Sequence, residues 1–168
     1  PCGHTADNNR IHDISRRMRT HAVNIQVRGV GVRMTHNLLT DAPHQGIQLA
    51  GNDHLFELNE VARIGMASDD CGAFYMGRDL TQRGNRIEFN FFHDLGPSVK
   101  SKDAFTDVMA VYLDDCLSGT VVRGNLFVRA GRAVLVGGGR DNRVEGNVFV
   151  DCRPGVHVDA RGTGWAHA

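Results

Sequence analysis

The stretch Ala110–Asp115, AVYLDD, decides how this chain is read. Apolar and polar residues alternate through it, the pattern of a strand with one buried and one open face. Val111 and Leu113 are predicted to point inward, and Tyr112 and Asp114 outward, with Asp115 at the strand end. The same slot recurs as AVNIQV (22–27), GIQLAG (46–51), AFYMGR (73–78), AVLVGG (133–138) and GVHVDA (155–160). From the first residue of one slot to the next, the spacings are 24, 27, 37, 23 and 22. A strand repeated every 20 to 30 residues or so is the signature of a solenoid.

Between the slots lies a second pattern, Asn-x-apolar-x-Asp/Arg or close to it: NRIHD (9–13), NLLTD (37–41), NEVAR (59–63), NFFHD (90–94), NLFVR (125–129) and NVFVD (147–151). Short apolar-alternating stretches such as GVRMTH (31–36) and RIEF (86–89) precede most of these asparagines. Each repeat therefore carries three short strands. The Asn is expected at a tight turn, in left-handed backbone, as one rung of a side-chain ladder. Three strands per coil, each paired with its counterpart one coil on, make an all-β, right-handed parallel β-helix of about six coils. The handedness follows the chirality rule for parallel crossovers. Val23, Ile47, Phe74, Val111, Val134 and Val156 form one inward column, and Ile25, Leu49, Met76, Leu113, Val136 and Val158 the next. A one-residue slip would expose all of them, so the pattern supports the register.

Composition sets the outer bounds. Nineteen basic residues balance nineteen acidic ones, which gives no electrostatic case for nucleic acid or an anionic membrane as partner. Twenty glycines suit many tight turns. There is no apolar run of about 18 residues to span a bilayer. The chain opens at Pro1 with no signal peptide and carries repeat units near both ends. It is expected to be a single β-helix domain over 1–168, a piece of a longer solenoid whose end coils present open strand edges. Cys2, Cys71, Cys116 and Cys152 lack metal-type spacing. Small buried hydrophobes, a disulfide and a metal site all remain open for them. The polar stretch PSVKSKDAFTDVM (97–109) and the shorter GMASDDCG (65–72) are read as loops entering the open face at one corner.

Stacking the slots places chemistry on that face. One outward column reads Asn24, Gln48, Tyr75, Tyr112, Leu135, His157, and the next Gln26, Ala50, Gly77, Asp114, Gly137, Asp159. Val27, Gly51, Arg78, Asp115, Gly138 and Ala160 stand at the strand ends, and Arg78 is the only cation in the three columns. Asp114 and Asp159 are expected about 9–10 Å apart, two coil rises, with Gly137 leaving room between them. That separation is near the one used by inverting glycosidases, where one carboxyl protonates the leaving oxygen and the other activates water. Asp115, Asp70 and Asp79 are further candidate carboxylates. Tyr75, Arg78, Tyr112, His157 and Arg161 are candidate substrate contacts, and His44 also lies near the open face. GGGRDN (137–142) lacks the Lys-Ser/Thr ending of a phosphate loop and reads as a tight turn.

The stretches SDDCGAFYMGRDLTQRGNRIEFNFFHDLG, VYLDDCLSGTVVRGNLF and VGGGRDNRVEGNVFVDCRPGVHVDARGTGW resemble the β-helical glycoside hydrolases of family 141, over about Asn8 to Trp165. That family includes α-L-fucosidases and xylanases acting on plant cell-wall polysaccharides. The resemblance implies an Asp-based hydrolase, with Asp114, Asp115, Asp159 and Asp70 as the matching positions. It also implies a polysaccharide or oligosaccharide substrate, no cofactor, and a secreted or periplasmic location. Two alternatives stand beside it. One is a polysaccharide lyase or epimerase with Ca²⁺ held by Asp70, Asp114 and Asp115. The other is a non-catalytic carbohydrate-binding or adhesin β-helix.

Overall fold

A computed structural model describes residues 3–97 and 107–163. The backbone winds as a parallel β-helix of three six-stranded sheets. The slot strands form one sheet: Val23–Val30, Gln45–Asn52, Cys71–Gly77, Val108–Asp114, Arg132–Gly137 and Val156–Asp159. The strands before and after each Asn form the other two, from Thr5–Asp7 to Arg143–Glu145 and from Arg10–Ile11 to Val148–Val150. All of the described strand pairs are parallel; Phe74 lies opposite Val111 and Val111 opposite Val134. The core is the tube between the sheets. Phe56, Phe74, Phe92, Phe127, Leu113 and Met76 are fully buried there. Phe92 stacks on Phe127 and Phe127 on Phe149, with centroids 5.2 and 5.1 Å apart.

The structure corrects the expected register in one coil. Ile25 pairs with Ile47 and Val27 with Leu49, two residues along from the expected match of Val23 with Ile47. A shift of two keeps every side chain on its face, so the apolar alternation alone could not detect it. Val156 and Val158 do occupy inward positions, but at 41% and 68% exposure they are not core. They sit on the last strand of the sheet, with no further described coil over them. The long loop is shorter than expected at its far end, because Val108 and Met109 already belong to the Asp114 strand and are buried. The rest of that insertion, 98–106, lies outside the described residues. So does Cys2, while Cys71, Cys116 and Cys152 are free thiols.

The asparagine ladder is present, with a different backbone origin. Each Asn Nδ2 donates to the Oδ1 of the next: Asn9 to Asn37, Asn37 to Asn59, Asn59 to Asn90, Asn90 to Asn125 and Asn125 to Asn147, at 2.9–3.0 Å. The left-handed residue is the one before the Asn: Asn8, His36, Leu58, Phe89, Gly124 and Gly146. It turns the chain so that the Asn side chain aims down the stack. A second polar ladder closes another corner: the His54 amide donates to Asn85 Oδ1 at 3.0 Å and the Thr120 amide to Asn142 Oδ1 at 3.0 Å. At the third corner the Asp/Arg residues ending the post-Asn pattern pair across coils. Arg63 donates to Asp41 and Arg129 to Asp94, each with a closest approach of 2.6 Å.

Asn90→Ala would leave the buried Asn59 amide and Phe56 carbonyl without their partners. Because unpaired buried polar groups each cost about 1–3 kcal/mol, a loss of roughly 2–5 kcal/mol is expected in urea unfolding. A change under about 0.5 kcal/mol would mean that the ladder contributes nothing to stability.

Candidate active cleft

With the register corrected, the first outward column reads Gln26, Gln48, Tyr75, Tyr112, Leu135, His157, and the second Arg28, Ala50, Gly77, Asp114, Gly137, Asp159. A cleft of ≈ 750 Å³ opens over their middle, walled by Tyr75, Tyr112, Asp70, Asp114, Arg78 and Arg161, and running on to Gln48, His44 and His21. Gly77 is required beneath it. A Cβ there would sit 2.8 Å from the Asp114 carbonyl oxygen and 2.7 Å from its Cβ.

The two tyrosines meet edge to face, centroids 5.3 Å apart, and each donates to a different carboxylate. Tyr75 Oη reaches Asp114 Oδ2 at 3.0 Å, and Tyr112 Oη reaches Asp70 Oδ1 at 3.1 Å. Burial, and then the charge of Asp114, push the Tyr75 hydroxyl up to about 12. Burial likewise raises Tyr112, with Asp114 and Asp70 adding to it. Both rings therefore stay protonated at neutral pH and act as donors.

Asp114 is not the exposed group that the alternation suggests, being only 4% accessible. Beyond Tyr75, it accepts from Arg161 Nη1 and from the Asp115 amide, the latter at 2.9 Å. The same Arg161 Nη1 lies 3.1 Å from Asp115 Oδ1, while Nε reaches Asp159 Oδ2 at 2.8 Å. One guanidinium thus joins three carboxylates. Burial works against the Arg161 charge but is outweighed by its bonds to Asp159 and Tyr112, so the guanidinium is held more firmly charged than usual. Burial likewise opposes the Asp159 charge, yet Arg161 keeps that carboxyl below the usual range.

Several expectations change here. The room beside Gly137 is not open: a Cβ on Gly137 would lie 2.9 Å from Arg161 Cζ, so the guanidinium fills the gap between Asp114 and Asp159. These two carboxylates share a cation rather than facing each other across water. Arg78 is not the only cation, since Arg161 folds in from beyond the last slot strand and the corrected column adds Arg28. His157 stacks beside Leu135 and does not line the cleft. Asp79 caps its own turn, accepting from the Thr81 amide at 2.9 Å and from the Thr81 hydroxyl. The sequence reading missed His21 and Gln45. Neither lies in an outward column, and only the corner geometry brings them to the cleft.

Arg78 and Asp115 occupy a backbone position that Gly29, Gly51 and Gly138 hold in other coils, all with positive φ. At φ 66° and 37° the two charged residues carry a conformational penalty of roughly 1 kcal/mol each. Their side chains pair over the cleft, Arg78 Nε to Asp115 Oδ2 at 2.8 Å. Left-handed backbone is not peculiar to the cleft, since it also recurs at the turns before the ladder asparagines, so it is the pairing that marks these two residues. Ca²⁺ does not fit this donor set. Two guanidinium groups already take the Asp114 and Asp115 oxygens, and Asp70 takes the Tyr112 hydroxyl. Among the described residues no group of three His, Cys, Asp or Glu side chains is placed to hold a metal.

Fold and site together define a parallel β-helical solenoid with an acidic, tyrosine-walled cleft on one sheet. The chain belongs to the right-handed beta helix family, whose description, a right handed beta helix region, matches residues 1–166. No curated protein and no solved structure matches the chain.

Proposed function

We propose that this is a carbohydrate-active β-helix that hydrolyses a glycosidic bond in a polysaccharide or oligosaccharide, the activity implied by the resemblance to glycoside hydrolase family 141. The observation that carries the reading is the pairing of a buried carboxylate, Asp114, with an exposed one, Asp70, across two touching tyrosine rings in one cleft. Glycoside hydrolysis needs two carboxyl groups in different settings, one to stabilise or attack the developing oxocarbenium carbon and one to move a proton. Asp114, surrounded by donors, suits the first role. Asp70, open to solvent and bonded by one hydroxyl, suits the second. Asp159 is committed to Arg161 and serves to hold that guanidinium, and Asp115 holds Arg78. The partly exposed Tyr75 ring and Gln48 offer stacking and hydrogen bonds to sugar rings, while Tyr112, expected on the open face, is 6% exposed and lies beneath Tyr75 as support. A secreted or periplasmic location, where such polymers are met, belongs to the same proposal.

The test is a screen of xylan, fucosylated xyloglucan and uronate-rich polysaccharides, with and without chelator. New reducing ends that persist in chelator are expected. Unsaturated uronate products that disappear in chelator would instead establish the Ca²⁺ lyase. Binding without any product would establish a non-catalytic carbohydrate-binding module.

A further inference from the structure

We propose that His44 contacts the bound sugar chain, its imidazole hydrogen-bonding a hydroxyl at a subsite on the N-terminal side of Asp114. This rests on the carbohydrate reading of the cleft. His44 precedes the Gln45–Asn52 strand, two strands from the one bearing Asp114, so the subsite lies roughly 10 Å along the solenoid axis.

His44 is 8% exposed and lines the cleft, yet its Nδ1 is buried without a hydrogen-bond partner. Among the described residues, no other unpartnered buried side-chain atom belongs to a residue of the cleft wall. The main chain at this point is well tied: the His44 carbonyl accepts from the Gly65 amide at 2.9 Å and from the Cys71 thiol at 3.8 Å. The polar atom is therefore not left over from a loose loop. A buried polar group without a partner is destabilising, and a leucine here would avoid that cost. The imidazole keeps a bonding capacity that the chain itself does not use.

The charged and titratable groups around it are few. The His21 ring lies 5.4 Å away, Asp70 attracts the imidazole from the corner before the Tyr75 strand, and the Cys71 thiol sits beneath. Burial, then His21, hold His44 below the ordinary histidine range against that attraction. The ring is neutral at pH 7, with one N–H and one lone pair. A sugar hydroxyl, which both donates and accepts, matches whichever nitrogen the ring turns to the cleft.

The experiment compares His44→Leu, His44→Asn and His44→Gln with wild type, using xylohexaose and a fucosylated xyloglucan oligosaccharide as substrates. The expected result for His44→Leu is a KM raised about 3- to 10-fold, the loss of one neutral hydrogen bond, with kcat near wild type. Its melting temperature should be equal to or above that of wild type. Whichever of Asn and Gln places its amide at the bonding nitrogen should restore part of the KM. An unchanged KM in His44→Leu overturns the proposal. So does a lowered melting temperature with no recovery by Asn or Gln, which would make His44 a packing residue. If wild type neither binds nor cleaves either sugar, this inference falls, while the carbohydrate reading is decided separately by the wider polysaccharide screen.

Discussion

Asp114→Asn is expected to lower kcat by roughly 10²–10⁴-fold on the polysaccharide that the wild-type protein cleaves, the range for losing a catalytic carboxylate. The Asn side chain is nearly isosteric but carries no negative charge to set against an oxocarbenium-like transition state. KM should stay within about threefold, because the tyrosine walls and Gln48 remain. The substitution is not silent for the fold, since Asp114 is buried and bonded by Arg161, Tyr75 and the Asp115 amide. A stability loss of about 1–3 kcal/mol is expected in denaturant unfolding, as charge-assisted bonds become neutral ones. Activity and melting should therefore be measured on the same preparation. Near-wild-type kcat in a folded Asp114→Asn protein would remove Asp114 from the chemistry and turn attention to Asp115.

Arg161→Met carries the largest expected effect on stability. Its side chain is 20% exposed and bonded to Asp114, Asp115 and Asp159, whose side chains are 5%, 16% and 24% exposed. Removing it leaves three neighbouring carboxylates, with Arg78 the one other arginine or lysine paired with two of them among the described residues. Breaking a buried ion pair by deleting one partner typically costs about 3–5 kcal/mol. A loss of that size is expected at neutral pH, and it should shrink in acid, because the Asp159 carboxyl that Arg161 holds below the usual range takes up a proton there. Lost stability with the same pH profile as wild type would show that Arg161 acts by packing alone. Arg161→Lys should recover only part, because an ammonium group cannot fork across three carboxylates.

The two substitutions also separate what could be read along the chain from what could not. That Asp114 lines the cleft was legible because it breaks the pattern of its column. A carboxylate stands there where Gly77 and Gly137 flank it, beside Tyr75 and Tyr112, and period-two alternation puts all of them on one face. The Asp/Arg column at the third corner was legible for the same reason. Repeats stack equivalent residues, so opposite charges at the pattern's end become partners in Arg63–Asp41 and Arg129–Asp94. The role of Arg161 was not legible. It lies past the last slot strand, and its reach back to Asp114 crosses 47 residues of sequence. No periodicity reports such a contact. His21 was likewise not legible: it meets His44 and Asp70, both read as near the open face, only because three different coils turn their corners toward one cleft, and corner direction depends on backbone dihedrals.

The sequence by itself determined the solenoid: three strands per coil, the asparagine ladder and the inward columns all follow from residues that recur at equivalent places. A local pattern is sufficient when each coil meets only copies of itself. Tertiary structure alone decided the two-residue register of the first coil, because alternation is blind to even shifts. It decided that the residue before the Asn adopts the left-handed turn in every coil, since Gly124, Gly146 and Asn8 hint at it but His36, Leu58 and Phe89 carry no mark in composition. It also decided the electrostatics of the cleft. A single arginine arriving from outside the repeat turned an apparent gap between two aspartates into a shared ion cluster, and a contact made once in the molecule leaves no trace in its repeats.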